Sequence, residues 1–295
     1  EADLPEGLIN VITGFGTTTG VPLIEHDDVR MISFTGGTKG GSAASLSASK
    51  KVKPIIMELG GKSPQIVFED ADLNLSVNGV VSGIFPVTGH SCISGSRILV
   101  HKKIKDQFIK KLLDVVKKAK VGNPNDPNTQ IGPIANKEQY EFILSKIDNA
   151  EKRGLKLLLD GRKECKSQGY YIGPTIFDDV PNNDDLAQNE VFGPVVSIHS
   201  WENEKDVIKI ANDTVYGLAA GIWTNDVNKA IRFAAKIEAG TVYINNYFNA
   251  ATQSPVGGFK QSGYGRENGW EGMQCYMQTK STWLATEPHQ PDPFK

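Results

Sequence analysis

The sequence predicts an α/β fold, built from mostly parallel sheets with crossover helices, and three observations point to it. Short apolar runs alternate along the chain with segments of helical periodicity, the order expected when each helix returns the chain to a parallel strand. The runs are short enough to be buried strands of about four to eight residues. A chain of 295 residues, 39% of them hydrophobic, can also bury one large or two ordinary α/β domains.

The first part of the chain supplies the clearest strands. The apolar run at 7–13 predicts a buried strand that precedes a short helix. Four further strands are expected at 30–36, 52–61, 64–70 and 96–100. Helices are expected at 37–51, 72–84 and 104–120. The last two helices carry apolar residues at intervals of three and four, which is the spacing of one buried helix face.

The remainder repeats the alternation and contains a glycine-rich loop. Strands are expected at 155–159, 218–224 and 241–248. Helices are expected at 136–153, 203–212 and 226–240. Residues 249–269 are rich in turn-forming residues, so we predict a long ordered loop there, and loops of that length are usually functional.

The charge balance indicates small binding partners. The chain has 32 Lys plus Arg against 34 Asp plus Glu, so it has no general attraction for nucleic acid or anionic lipid. No apolar run is long enough to span a bilayer, and no charged-then-apolar leader is present at the start. We therefore expect a cytoplasmic protein without nucleic-acid or membrane partners.

The three cysteines are widely separated, at Cys92, Cys165 and Cys275. This spacing fits neither a disulfide framework nor a paired C-x-x-C metal site, so no metal is expected and a reducing compartment is favoured. Cys92 lies in "GHSCISGSR", a turn that follows a predicted helix. Free cysteine is usually buried and inert, but a turn leaves the sulfur reachable, so packing and nucleophilic roles both remain open.

Glu58 is an unusual residue for its place in the pattern. It lies at the end of an otherwise apolar strand, just before a pair of glycines, and the carboxyl ends of strands are where α/β sheets place ligands. An unpaired buried carboxylate is costly. Glu58 is therefore either salt-bridged or kept with a raised pKa as a general base.

The glycine-rich segment 33–41, "SFTGGTKGG", lies where a strand leads into a helix. Its backbone N–H groups are placed to face a phosphate at the positive end of that helix. It is not the G-x-G-x-x-G fingerprint, and segments 14–20 and 263–269 only approach that pattern. Taken alone, each of the three segments is more often a tight turn than a nucleotide site.

Six motifs in order resemble those of the aldehyde dehydrogenase superfamily of NAD(P)-dependent enzymes. They are "FTGGT", "MELGGKSP", "GHSCISGSR", "NEVFGPVVS", "YGLAAGIWT" and "PVGGFKQSGYGRENG", and they cover nearly the whole chain. The resemblance implies that Cys92 is the nucleophile that attacks the aldehyde. It further implies that Glu58 is the base that activates the hydrolytic water and that Glu267 relays protons.

The resemblance also implies residues that bind NAD or NADP. Gly16 and Gly20 match positions near the adenine, and Gly36 and Gly37 match the turn at the pyrophosphate. Gly37 replaces a serine that many members carry, which removes one hydrogen bond to phosphate.

Two motif residues are expected at the reaction centre, and two other residues near it differ from those that many family members carry. Glu190 matches the residue that accepts hydrogen bonds from the nicotinamide ribose, and Phe192 matches the residue that packs against the ring. Val256 and His90 stand where many members have phenylalanine and glutamine. Both departures lie near the expected substrate tunnel.

The family resemblance divides the chain into three parts. Residues 1–61 are expected to end a dinucleotide-binding domain, 62–261 to form the catalytic domain and 262–295 to form a return segment with an oligomerisation strand. The opening apolar run has no preceding partner strand, so we expect a chain that lacks the first half of the cofactor domain and is inactive alone. A homodimer or homotetramer is expected for the complete protein.

The sequence therefore predicts an NAD(P)-dependent aldehyde dehydrogenase that forms an acid through a Cys92 thioester. One alternative is an acylating dehydrogenase that passes the acyl group to coenzyme A or another thiol, and the presence of Glu58 argues against it. The other is an inactive structural relative. The joint presence of Cys92, Glu58, Glu190 and Phe192 argues against that alternative.

Overall fold

The computed structural model describes residues 3–164, 168–287 and 289–295, so Cys165 lies outside the described residues. The strands are β1 Ile32–Thr35, β2 Ile55–Glu58, β3 Pro64–Val67, β4 Arg97–His101, β5 Lys156–Leu159, β6 Thr175–Asp178, β7 Val195–Trp201, β8 Ala219–Trp223, β9 Thr241–Ile244 and β10 Gly263–Tyr264. The α-helices are α1 Val21–Glu25, α2 Thr38–Ser49, α3 Leu73–Ser82, α4 Lys105–Val116, α5 Lys137–Lys152, α6 Asp185–Gln188, α7 Glu204–Asn212, α8 Val227–Ala234 and α9 Gly269–Cys275. A π-helical turn precedes α1 at Gly16–Gly20, and 3₁₀ turns lie at Lys102–Ile104, Gly161–Glu164 and Lys260–Ser262.

The strands form two sheets. A three-stranded sheet has the order β1-β2-β10, and a seven-stranded sheet has the order β5-β6-β7-β4-β3-β8-β9. Every pair in the larger sheet is parallel except β5 with β6, and β10 is antiparallel to β2. The predicted α/β class, with mostly parallel sheets and crossover helices, is confirmed.

Helices cover both faces of the seven-stranded sheet. Val67 and Val100 pack against α3 and α4 on one face, whereas their chain neighbours Ile66 and Leu99 pack with residues of α7 and α8 on the other. This follows from the alternation of side chains along a strand. Since both faces are buried, the central strands are mostly apolar, as a parallel sheet favours, and polar residues within them such as Gln65 and Arg97 are buried too.

Polar side chains mark where several helices begin. The Asp72 carboxylate accepts hydrogen bonds from two backbone N–H groups at the start of α3, and Asp226 does the same for α8. Asn136 and Asp184 each accept one such bond at the starts of α5 and α6. These caps satisfy N–H groups that have no partner inside the helix, so they set where the helices start.

One predicted strand is wrong and three elements were not predicted. Residues 7–13 form no strand, and Val11 is 86% exposed. An apolar run becomes a strand only when a neighbouring strand supplies hydrogen bonds, and no described strand pairs with this run. β6, α6 and β7 were not predicted from the sequence.

The C-terminal part also differs from the prediction. The loop predicted at 249–269 contains the short strand β10, and α9 ends at Cys275. Residues 276–283 form no strand within the single chain, and Trp283 is 94% exposed. The pairing of this segment with another subunit stays a prediction.

The order of the strands determines where loops from different parts of the chain meet. β3, β4 and β7 are neighbours in the larger sheet and run parallel, so the loops that lead into them lie side by side at one edge. These loops are residues 59–63, 89–96 and 189–194. They contain the predicted residues Cys92, Glu190 and Phe192.

Candidate active site

A cavity of about 560 Å³ lies between the two sheets. The carboxyl ends of β1 and β2 bound it on one side, and the loops that lead into β3, β4 and β7 bound it on the other. Its walls are formed by Thr35, Gly36, Gly37, Glu58, Leu59, Gly60, His90, Ser91, Cys92, Gln139, Glu190 and Phe192. Because strands of both sheets point their ends into this space, residues far apart in the sequence line it together.

Six of the nine predicted site residues line this cavity: Gly36, Gly37, Glu58, Cys92, Glu190 and Phe192. Glu267 is not in the lining but lies close enough to Glu58 to affect its pKa. Gly16 and Gly20 lie in the π-helical turn before α1, away from the cavity walls, with open space where a side chain would be. The structure thus groups the predicted catalytic and pyrophosphate residues but not the two adenine-site glycines.

Glu58 is the last residue of β2 and is buried. No described residue forms an ion pair or hydrogen bond with its side chain, and its Oε1 atom is buried without a partner. Burial, followed by repulsion from Glu267, raises the pKa of Glu58 to about 7, whereas Arg266 opposes the shift. Of the two alternatives left open by the sequence, the structure favours a carboxylate with a raised pKa over a salt-bridged one.

Glu267 is held behind Glu58 by local contacts. Its backbone pairs with that of Val256, and its Oε1 atom accepts a hydrogen bond of 2.6 Å from the hydroxyl of Ser33 in β1. These two contacts fix the position of the Glu267 side chain between β1 and the chain around Val256. Ser33 was not identified from the sequence.

Cys92 is half-buried in the loop that leads into β4. The Tyr247 hydroxyl donates a 2.7 Å hydrogen bond to the carbonyl of Ile93, next to the cysteine. On the other side, a Cβ atom at Gly61 would lie 2.4 Å from the Cys92 carbonyl oxygen, so only glycine fits there. The loop is therefore held between Tyr247 and Gly61, and the thiol lies on the cavity wall.

The Cys92 thiol is not activated by its protein surroundings. Burial raises its pKa above the ordinary value, and the carboxylates of Glu190 and Glu58 raise it further. Low-pKa cysteines usually lie beside cations or at helix N-termini. At neutral pH the thiol form of Cys92 therefore predominates in the protein alone.

Glu190 is held by the glycine pair before β3. Its Oε1 atom accepts a 2.9 Å hydrogen bond from the backbone N–H of Gly61, and a Cβ atom at Gly60 would lie 2.4 Å from its Oε2 atom. Burial raises the pKa of Glu190, and Gly61 and Lys62 oppose the shift. The carboxylate thus has one satisfied oxygen and lies on the wall of the cavity.

Lys62 lies directly behind this carboxylate and is 2% exposed. Burial lowers its pKa to about 7, and the neighbouring Arg97 guanidinium contributes to the shift. Arg97 itself donates to the carbonyls of Lys62, Ile210 and Ala211. These bonds link the start of β4 to the glycine pair and to the C-terminal end of α7.

Phe192 lies opposite Cys92 on the cavity wall and has a left-handed backbone with φ 52°. The amide of Gln139 donates to the carbonyls of Val191 and Phe192 at 2.9 and 3.1 Å, which supports this turn. The ring of Phe192 faces that of His90, with centroids 5.6 Å apart and planes inclined by 16°. Gln139 and Tyr247 were not identified from the sequence, because they act through backbone carbonyls distant in sequence and belong to no motif.

The start of α2 faces the same cavity. Gly36 donates its N–H to the Glu58 carbonyl at 3.1 Å, which ties the end of β1 to the end of β2. Gly37 is the residue before α2 and has no capping side chain, with open space at its Cβ position. Unpaired N–H groups at the start of this 12-residue helix favour an anion.

Comparison with known proteins identifies the family to which these features belong. Residues 1–282 match the model of the Aldehyde dehydrogenase family. The chain belongs to the aldehyde dehydrogenase family. It is 44% identical to an aldehyde dehydrogenase of Emericella nidulans over 282 residues, which are 95% of this chain and 56% of the relative. It is 40% identical to a betaine aldehyde dehydrogenase of Brucella anthropi, covering 96% of this chain and 59% of the relative.

Solved structures of aldehyde dehydrogenases have the same fold. A betaine aldehyde dehydrogenase from Staphylococcus aureus in complex with NAD⁺ superposes with a TM-score of 0.94 at 40% identity, covering 99% of this chain and 59% of that one. An aldehyde dehydrogenase from Bacillus cereus in an NAD⁺ complex superposes with a TM-score of 0.90 at 36% identity. The match covers 93% of this chain and 56% of that one. The chain thus spans somewhat more than half the length of the relatives that it matches.

The described residues show neither a metal cluster nor a membrane-spanning helix. Within the residues that the structure describes, no group of three or more His, Cys, Asp or Glu side chains is arranged to hold a metal ion. None of the described helices combines the length and apolarity needed to cross a bilayer.

The raised pKa of Cys92 leads to a testable expectation for its reactivity. Glu190→Gln removes a negative charge that disfavours the thiolate, so the Cys92 pKa should fall and alkylation by iodoacetamide at about pH 8.5 should accelerate about two- to tenfold. Peptide mass spectrometry measures the rate, with Cys275 as internal standard and exposed Glu202→Gln as the control variant. An unchanged or slower rate in Glu190→Gln would contradict the charge assignment.

Proposed function

We propose that the protein oxidises an aldehyde to a carboxylic acid with NAD or NADP, through a thioester on Cys92. The observation that carries the proposal is the cavity in which Cys92, Glu58 and Glu190 lie together. A thiol and a carboxylate with a raised pKa are the two groups that this reaction requires of the protein. The relatives named above, which are aldehyde and betaine aldehyde dehydrogenases, support the same class of reaction.

The walls of the cavity suit the phosphate and nicotinamide-ribose parts of a dinucleotide in their chemistry. The start of α2, at Gly36 and Gly37, offers N–H groups to phosphate, and the Glu190 carboxylate offers an acceptor to sugar hydroxyls. Phe192 presents an apolar ring, 38% exposed, against which a flat ring can pack. What the cofactor supplies, when bound, is an acceptor for the hydride that leaves the substrate carbon.

Cys92 carries the first half of the proposed reaction. Its thiolate forms a bond to the aldehyde carbon, and the carbonyl electron pair moves to oxygen. When the carbonyl re-forms, the carbon loses a hydride, so the substrate is oxidised by two electrons and a thioester remains on Cys92.

Glu58 carries the second half. Its carboxylate takes a proton from water while the water oxygen bonds to the thioester carbon, and the sulfur then leaves as the thiolate. The products are a carboxylic acid and free Cys92. Because water is the acyl acceptor here, the presence of Glu58 in the cavity supports hydrolysis over transfer to coenzyme A.

The remaining predicted assignments are also proposals. We propose that Glu267, whose charge acts on Glu58, exchanges protons with it, and that Gly16 and Gly20 lie near the adenine of the dinucleotide. We further propose that 1–61 belong to the cofactor domain, 62–261 to the catalytic domain and 262–295 to a return segment. The antiparallel pairing of β10 with β2 supports the last assignment. Assembly as a homodimer or homotetramer, a cytoplasmic location and the absence of nucleic-acid partners stand as proposals as well.

In the complete protein, replacing the two catalytic residues should give two different kinetic patterns. Cys92→Ser removes the thiolate, so hydride transfer and acid formation should both fall by about three orders of magnitude or more. Glu58→Gln leaves attack and hydride loss intact, so one burst of reduced cofactor per site should precede slow turnover. Stopped-flow absorbance measures the burst, and mass spectrometry should find the acyl group on the Cys92 peptide. Normal turnover by Glu58→Gln, or acyl groups on Cys275, would make the assignment wrong.

The raised pKa of Glu58 should appear in the pH dependence of acyl-enzyme hydrolysis. The base must be ionised, so the pH–rate profile for hydrolysis should bend near pH 7. Below this bend, the acidic limb of the profile, the hydrolysis rate should fall about tenfold per pH unit. Glu267→Gln removes the repulsion that raises the Glu58 pKa, so this limb should move to lower pH. Single-turnover hydrolysis between about pH 5 and 9 measures it, with Glu202→Gln as control. A limb that stays in place or moves upward would contradict the coupling.

A further inference from the structure

We propose that His90 is a positioning residue that fixes the ring of Phe192 on the cavity wall by stacking against it, and thereby sets where the nicotinamide ring packs. The inference rests on the proposed function, since it assigns His90 a role toward the cofactor. It concerns one of the residues at which this chain departs from its family, where many members carry glutamine.

Burial alone does not hold the Phe192 ring in place. The side chain is 38% exposed and protrudes into the cavity. Gln139 holds the backbone of this residue through two hydrogen bonds to carbonyl oxygens, but those bonds leave the side chain free to change rotamer. A ring of this kind needs a neighbour on its face if it is to keep one orientation.

His90 supplies that neighbour. The two rings are nearly parallel, at 16°, with centroids 5.6 Å apart, which lies within the range of offset stacked pairs. A glutamine amide at position 90 offers a smaller planar face on a more flexible side chain, so it would support the Phe192 ring less well on this side.

The backbone around both rings is packed too closely for them to move apart freely. Gly89 has a left-handed φ of 68°, and a Cβ atom there would lie 2.0 Å from the carbonyl oxygen of Gly193. The residues before and after the ring pair, Gly89 and Gly193, are therefore in direct contact. Since Cys92 follows His90 by two positions, the same loop carries the nucleophile and the support for Phe192.

The environment of His90 keeps the imidazole neutral. Its Nε2 atom is buried and has no hydrogen-bond partner among the described residues, and burial lowers the pKa of the ring. A protonated ring would bury an N–H without an acceptor. The ring is thus suited to stacking, and it lacks the partner that a proton-transfer role would need.

A double-mutant cycle tests whether His90 acts through Phe192. His90→Gln should raise the dissociation constant for NADH, measured by its fluorescence, about three- to tenfold, whereas His90→Phe should keep it within about twofold of the unmodified protein. In a Phe192→Leu background, His90→Gln should have almost no further effect. The proposal would be overturned if His90→Gln weakened NADH binding equally in both backgrounds, or in neither. It would also be overturned if His90→Phe weakened NADH binding as much as His90→Gln.

A measurement without cofactor separates this inference from the proposed function. 4-Fluorophenylalanine placed at position 192 reports ring orientation by ¹⁹F NMR. His90→Gln should shift and broaden its resonance, and His90→Phe should leave it sharp. A resonance that does not change in His90→Gln would contradict the claim that His90 fixes the Phe192 ring. If the complete protein with His90 and Phe192 unchanged fails to bind NADH at all, the proposed function and the cofactor half of this inference fail. The resonance still decides whether His90 holds Phe192.

Discussion

The site depends on the close approach of three loops at Gly60 and Gly61. β2 ends in one sheet at Glu58 and β3 begins in the other at Pro64, so residues 59–63 must join the sheets within a short distance. A methyl group at Gly60 would lie 2.4 Å from the Glu190 carboxylate, and one at Gly61 would lie 2.4 Å from the Cys92 carbonyl. The absence of side chains there lets the loops before β4 and β7 reach the end of β2.

This approach has an electrostatic consequence. The cavity gathers the carboxylates of Glu58 and Glu190, with Glu267 behind them, around a partly buried thiol. The pKa values of Glu58, Glu190 and Cys92 are all raised, chiefly because burial disfavours the charged form of each group. A cation that entered the cavity would lower the pKa of Cys92. The surroundings of Cys92 within the protein therefore favour the thiol over the thiolate.

The sequence predicts the parts of the fold in which local and long-range forces agree. The strands β1 to β4, with their apolar runs and glycine turns, were expected, as were the helices that Asp72 and Asn136 cap. The run at 7–13 has the same local pattern but no strand beside it, and β6 and β7 were missed despite lying in the sheet.

At the site, the residues that belong to the family motifs were predicted from the sequence. Tyr247, Gln139 and the His90 stack were not, since each contact joins segments about 50 to 150 residues apart and leaves no local signal.

The most direct test of this account compares two glycines that line the same cavity. Gly60→Ala should displace the Glu190 carboxylate and weaken NADH binding about tenfold or more, whereas Gly37→Ser, where space is open, should bind NADH at least as well as the unmodified protein. Isothermal titration calorimetry measures both, with a cooperative melt required of each variant. Unchanged NADH affinity in a folded Gly60→Ala protein would contradict the claim that the close approach of these loops builds the site.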